Sequence, residues 1–121
     1  MAKRILIADD DAGIIRFYSI VMTKLGYEVL IAKDGNETIE IAERELPDLL
    51  FTDTEMPGLK GYEICKQLKQ NPQTQHIKVI GASGKRDAYK QAYEEANADA
   101  YVNKPYSLND LESLMKRLLQ D

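Results

Sequence analysis

Residues 4–11 read Arg4-Ile5-Leu6-Ile7-Ala8-Asp9-Asp10-Asp11. Four apolar residues in succession mark a strand buried on both faces, because a strand with one wet face alternates. The run stops abruptly at three carboxylates. Behind them Ile14, Phe17, Tyr18, Val21, Met22 and Leu25 recur at helical spacing, which predicts a helix over 13–25 with that stripe inward. Gly26 then supplies the helix stop. A short apolar strand, a polar end and an amphipathic helix thus follow one another in the first 26 residues.

The same pattern runs through the rest of the chain. Tyr27–Ile31 reads as a second strand, and Asp34-Gly35-Asn36 as a turn, with Asn36 the expected N-cap of a helix running to about Glu45. Leu49–Thr52 is a third buried strand that ends at Asp53, and Met56-Pro57-Gly58 is a loop. A helix is expected over Gly61–Gln70, with Ile64, Cys65 and Leu68 inward, before Asn71-Pro72 ends it. A fourth strand, Lys78–Ser83, precedes a helix over 86–96 with Tyr89, Ala92, Tyr93 and Ala96 on one face. Ala100–Asn103 is the fifth strand. Ser107 with Asp110 resembles a capping box for a last helix carrying Leu108, Leu111, Leu114, Met115 and Leu118.

Five strand–helix units imply an α/β fold: a doubly wound, five-stranded parallel sheet with helices on both faces. The length, 121 residues, is that of one domain spanning 1–121, able to bury about two-thirds of its unfolded surface. A net charge of −4 is not the footprint of a nucleic-acid binder. No apolar run approaches the roughly 20 residues of a membrane span, and the stretch after Met1-Ala2-Lys3-Arg4 is too short for a signal peptide. The single cysteine, Cys65, forbids an intramolecular disulfide and reads as a small core residue. A cytoplasmic protein is expected.

In open sheets of this kind, ligands bind beyond the carboxyl ends of the strands. Those ends carry Asp9-Asp10-Asp11, Asp53, Ser83 and Asn103-Lys104-Pro105. If the first and third strands are neighbours, three or four carboxylates converge and need compensation. Mg²⁺, a hard cation that takes oxygen ligands, would supply it, and Lys104 would add a second positive charge. A carboxylate nucleophile, a divalent metal, a lysine and a hydroxyl together suit phosphoryl transfer. Asp11 has a simpler role, as N-cap of the first helix.

On these motifs, the chain resembles a CheY-like receiver domain of two-component response regulators. They are the Asp9-Asp10 pair, Asp53 followed by Met56-Pro57-Gly58, Ser83, and Lys104-Pro105. The resemblance implies the flavodoxin-like (βα)5 fold with strand order 2-1-3-4-5. It implies that Asp53 accepts a phosphoryl group from a sensor histidine kinase or a histidine phosphotransfer protein. Asp10, Asp53 and the backbone carbonyl of Glu55 would ligate one Mg²⁺, and Asp9 would act through a water. Lys104 and Ser83 would contact the phosphoryl group. Ser83 and Tyr101 would shift together as the switch, and the Lys104-Pro105 bond would be cis. Phosphorylation would alter contact with a downstream protein target, in a monomer able to dimerise when phosphorylated. No catalysis beyond its own phosphorylation and dephosphorylation is expected.

Three residues depart from the family pattern: Thr54 where an apolar residue is usual, Gly81 in place of a larger apolar residue, and Asn97 before an Ala-Asp turn. Gly81 is expected to loosen its strand, and Asn97 to adopt a left-handed conformation. Glu55 and Lys85 stand two residues beyond Asp53 and Ser83, and their opposite charges could pair across the site mouth. Ile15 falls off the stripe of the first helix, beside Ile14; both are candidates for an exposed kinase-docking surface. Tyr89, Tyr101 and Tyr106 mark a second candidate partner face. Two other readings compete. Asp53-Thr54-Glu55 loosely resembles the nucleophile motif of haloacid-dehalogenase-type phosphatases, which form an aspartyl phosphate. The flavodoxin-like fold also hosts flavin phosphate binders, although an Asp-rich first loop would repel that ligand.

Overall fold

The computed structural model describes residues 2–85, 87–104 and 107–120. The elements alternate strictly: β1 (Arg4–Ala8), α1 (Ala12–Lys24), β2 (Glu28–Ala32), α2 (Gly35–Glu45), β3 (Leu49–Asp53), α3 (Gly61–Gln70), β4 (Lys78–Ser83), α4 (Lys90–Glu95), β5 (Ala100–Asn103) and α5 (Leu108–Leu118). The five strands are parallel and lie in the order β2-β1-β3-β4-β5. This is the doubly wound architecture expected from the sequence.

Alternate residues of the strands feed two cores, as a pleated strand covered on both sides requires. Leu6, Ala8, Leu50 and Val79 pack with Ala42, Ile64, Cys65 and Leu68 on the side of α2 and α3. Ile5, Ile7, Leu49, Phe51 and Ile80 pack with Met22, Leu111 and Met115 on the side of α1 and α5. The continuous apolar reading of β1 and β3 follows from this double burial.

Three local expectations are corrected. In α1, Ile15 is 6% exposed and buried with Met22, while Phe17 and Ile20 are about half exposed, at 49% and 48%. The helix is therefore rotated from the stripe expected, and Ile15 is not an exposed docking side chain; Ile14 is partly exposed. The phase is fixed by the sheet, against which the Tyr18 ring packs edge-on to Phe51 at 5.2 Å. In α2 the N-cap is Asp34, two residues before Asn36: its Oδ1 accepts from Glu37 N at 2.8 Å, and Glu37 Oε1 in turn accepts from Lys33 N. Asp34 rather than Asn36 has the extended backbone a cap needs.

The third correction concerns α4, which begins at Lys90. Asp87 has a left-handed φ of 55°, and its N–H is donated to Asn103 Oδ1 while Asn103 Nδ2 donates back to Asp87 Oδ1, both at 3.0 Å. This pair holds the approach to α4 as a turn. Asn97, after α4, has φ 65°, the left-handed conformation expected of it.

Candidate functional site

The register of the sheet assembles the site one residue at a time. Ala8 of β1 pairs with Thr52 of β3, so the next residues, Asp9 and Asp53, emerge side by side. Asp53 pairs with Ala82 of β4, which brings Ser83 up beside it. Ser83 pairs with Asn103 of β5, and Lys104 N donates to Ser83 O at 2.8 Å. Residues far apart in the chain thus meet because each sits at, or one step past, the end of a parallel strand.

Carboxylate oxygens of Asp9, Asp10 and Asp53 lie within 4.8 Å of one another. Lys104 Nζ donates to Asp53 Oδ1 at 3.1 Å. Burial pushes the Asp9 carboxyl above its ordinary value, and the charges of Asp53 and Asp10 add to that; the hydrogen bond from Asp11 N and the charge of Lys104 oppose it. Asp11 accepts from Gly13 N and Ile14 N and caps α1 as expected. Ser83 is buried, and its Oγ accepts from Lys85 N at 3.0 Å, which leaves the hydroxyl proton to donate. Beneath the carboxylates, Ile14, Tyr18, Asp53 and Lys104 help line a void of about 10 Å³, room for about one water.

The loop after β3 is pinned to α2. Gly35 N donates to Pro57 O at 3.0 Å, and a Cβ at Gly35 would collide with the Leu59 backbone. Gly58, with φ 87°, completes the turn. Above this loop, Glu55 Oε1 accepts from Lys85 Nζ at 2.9 Å and from Tyr89 Oη at 2.7 Å. The pair expected of Glu55 and Lys85 is therefore formed, and Tyr89 joins it. Those two hydrogen bonds, Tyr89 first, hold the Glu55 carboxyl below its usual value. Tyr101 is half-buried, with its hydroxyl donating to Lys85 O at 3.4 Å. Pro105 and Tyr106, named above for the cis bond and the partner face, lie outside the described residues.

One residue of this region was missed by sequence reasoning. Tyr93 is wholly buried; its hydroxyl lies 2.7 Å from Thr54 Oγ1, and Thr54 Oγ1 donates to Ala82 O at 2.9 Å. A Cβ on Gly81 would run into the Tyr93 ring, so the glycine makes room for the ring. The expectation that Gly81 loosens β4 is corrected accordingly. Thr54 and Gly81 together were the available signal: a polar residue just past β3 and a missing side chain in the neighbouring β4 fit one large side chain with a polar tip.

A profile of the response regulator receiver domain matches residues 5–116. The chain belongs to that family. The receiver is 34% identical over 121 residues to the alkaline phosphatase synthesis transcriptional regulatory protein PhoP of Bacillus subtilis (strain 168), over 99% of this chain and 50% of that protein. It is 35% identical over 108 residues to the response regulator PleD of Caulobacter vibrioides (strain NA1000 / CB15N), over 87% of this chain and 23% of that protein. The chain spans about half the length of the first relative and less of the second. Among solved structures it superimposes on a CheY-like response regulator receiver domain protein of Methanospirillum hungatei JF-1 with a TM-score of 0.87, at 31% identity, over 98% of this chain and 94% of that one. The response regulator TrrA of Thermotoga maritima, solved in complex with Mg²⁺-BeF, gives a TM-score of 0.87 at 29% identity, over 97% of this chain and 99% of that one. As a receiver domain of response regulators, the molecule is a phosphorylation-activated switch.

Proposed function

We propose that Asp53 is the residue phosphorylated, and that the chain is one receiver domain over 1–121. The observation that carries this is the meeting of three carboxylates with one lysine at the strand ends. Among the described residues, three carboxylates face one contacting cation there, and burial already disfavours ionisation of the Asp9 carboxyl. The donor set is all oxygen and suits a hard divalent cation. Asp10, Asp53 and the Glu55 carbonyl would hold one Mg²⁺, with Asp9 acting through a water. When bound, Mg²⁺ would neutralise charge on the phosphoryl oxygens. Asp53 supplies the carboxylate oxygen that attacks phosphorus as the P–N bond of a phosphohistidine breaks. Lys104, already on Asp53 Oδ1, orients the carboxylate and faces the incoming charge. Ser83 offers its free proton to a phosphoryl oxygen.

The donor would be a sensor histidine kinase or a histidine phosphotransfer protein, met in the cytoplasm. The output would be altered contact with a protein target, with Tyr101 following Ser83. No observation favours the aspartyl-phosphate phosphatase reading. The bonded group of Glu55, Lys85 and Tyr89 begins two residues beyond Asp53 and would restrain water attack on the acyl phosphate. Glu55→Ala and Lys85→Ala are expected to speed dephosphorylation; unchanged rates in both would remove this role.

The main test is an intact mass taken at once after incubation with Mg²⁺ and acetyl phosphate. A gain of one phosphoryl group is expected, absent in Asp53→Asn and absent with EDTA. A gain that persists in Asp53→Asn would move the phosphorylated residue elsewhere.

A further inference from the structure

We propose that Tyr93 is a positioning residue of the switch, tying α4 through its hydroxyl to the ends of β3 and β4. Thr54 Oγ1 has one proton, and that proton goes to Ala82 O. Tyr93 must therefore be the donor in its contact with Thr54. The chain of donation runs Tyr93 Oη to Thr54 Oγ1 to the Ala82 carbonyl. Thr54 follows Asp53, and Ala82 precedes Ser83. One hydrogen-bonded chain thus starts on α4, passes through Thr54 just beyond Asp53 and ends on β4 at Ala82, next to Ser83.

Everything around Tyr93 limits its freedom to absorb a movement. Its ring fills the place of a side chain at Gly81, and its hydroxyl occupies the place of a Cβ at Gly61, the first residue of α3. Gly61 N also donates to Thr54 O at 3.0 Å. On its outer side the ring lies 5.2 Å from that of Tyr101, tilted by 31°. A buried hydroxyl is costly to leave unpaired. A shift of either strand end therefore draws Tyr93 with it, and α4 and the Tyr101 ring move in turn. Phenylalanine at 93 would fill the same space, so the hydroxyl is what this proposal tests. The inference rests on phosphorylation at Asp53.

The probe is beryllium fluoride with Mg²⁺, read by backbone amide NMR on the whole chain. In the wild type, amides of Asp53 and Ser83 and those of α4, Lys90–Glu95, are expected to shift. In Tyr93→Phe the site amides still shift, while the α4 changes fall to about half or less; Thr54→Val gives the same loss, and the double variant no more than either, as for a single shared bond. Thr54→Ser, which keeps the hydroxyl, restores the α4 response. Undiminished α4 changes in Tyr93→Phe, with the site responding, would overturn this inference alone. An Asp53 region that does not respond in the wild type would overturn the phosphorylation reading and this inference with it. Should Thr54→Val not fold, Tyr93→Phe and Thr54→Ser decide the matter.

Discussion

A methyl group at position 81 has no room, because the Tyr93 ring already occupies it. Gly81→Ala is expected to destabilise the fold by about 1–3 kcal/mol through overpacking, measured by urea unfolding. In a Tyr93→Leu background, which clears the ring, most of that penalty should vanish; an equal penalty in both backgrounds would show that the ring is not the cause. Cys65 is constrained in another way. Burial pushes its thiol up to about 12, and its Sγ donates to Ala96 O at 3.5 Å. The thiolate is the reactive form, so native protein at pH 8 should resist iodoacetamide and label only in denaturant. Because the folded value is raised, the stability this thiol contributes is complete below the ordinary cysteine value of about 8.5 and is lost as pH rises toward the folded one.

Helices α1, α2 and α5 each owe their start to a single capping side chain, Asp11, Asp34 and Ser107. In α2, Asp34→Ala should cost about 1 kcal/mol, while Asn36→Ala should stay within about 0.5 kcal/mol. Equal losses in thermal or urea unfolding would restore Asn36 as the cap. The last turn of α3 is tied across the sheet: Lys69 Nζ donates to Ile77 O at 2.8 Å and to Asp99 at 2.9 Å, and Asp99 also accepts from Val79 N. This knot sits at the amino end of β4, opposite the cluster of Asp9, Asp10 and Asp53, so it fixes the strand without touching that cluster. Short α4, by contrast, is entered through a turn held by the Asp87–Asn103 pair. With no side-chain cap at its start, α4 depends on its buried anchor, Tyr93.

At the scale of the molecule, the site is held together by four strands and has no meaning in any one of them. A ligand that bridges Asp53, Ser83 and Lys104 therefore binds only the folded state. Beryllium fluoride with Mg²⁺ at 100 times its Kd should stabilise by about 2.7 kcal/mol, raising the Tm by on the order of 10 °C. Asp53→Asn should abolish that rise in a thermal scan. A rise that survives the substitution would place the binding elsewhere on the molecule.

Much of this arrangement was legible in the chain. The β-α alternation, the Arg4–Ala8 and Leu49–Asp53 runs, and the polar residues at their ends follow from local rules, because burial on both faces leaves no alternation and a helix imposes its own period. With parallel strands given, the meeting of Asp9, Asp10, Asp53, Ser83 and Lys104 needs only register. What the sequence left open depends on partners distant in the chain. α1 carries apolar residues around more than one face, so docking on Phe51 decided that Ile15 turns inward and Phe17 outward. Asn36 was the expected cap, and the chain path after β2 gave that role to Asp34. Thr54 and Gly81 looked like separate oddities and Tyr93 like one member of a helix face, and only packing across 39 residues of sequence joins Thr54 to Tyr93. Local patterns determined the elements and their order; contacts between elements decided helix phase, cap and the buried hydroxyl chain beside the site.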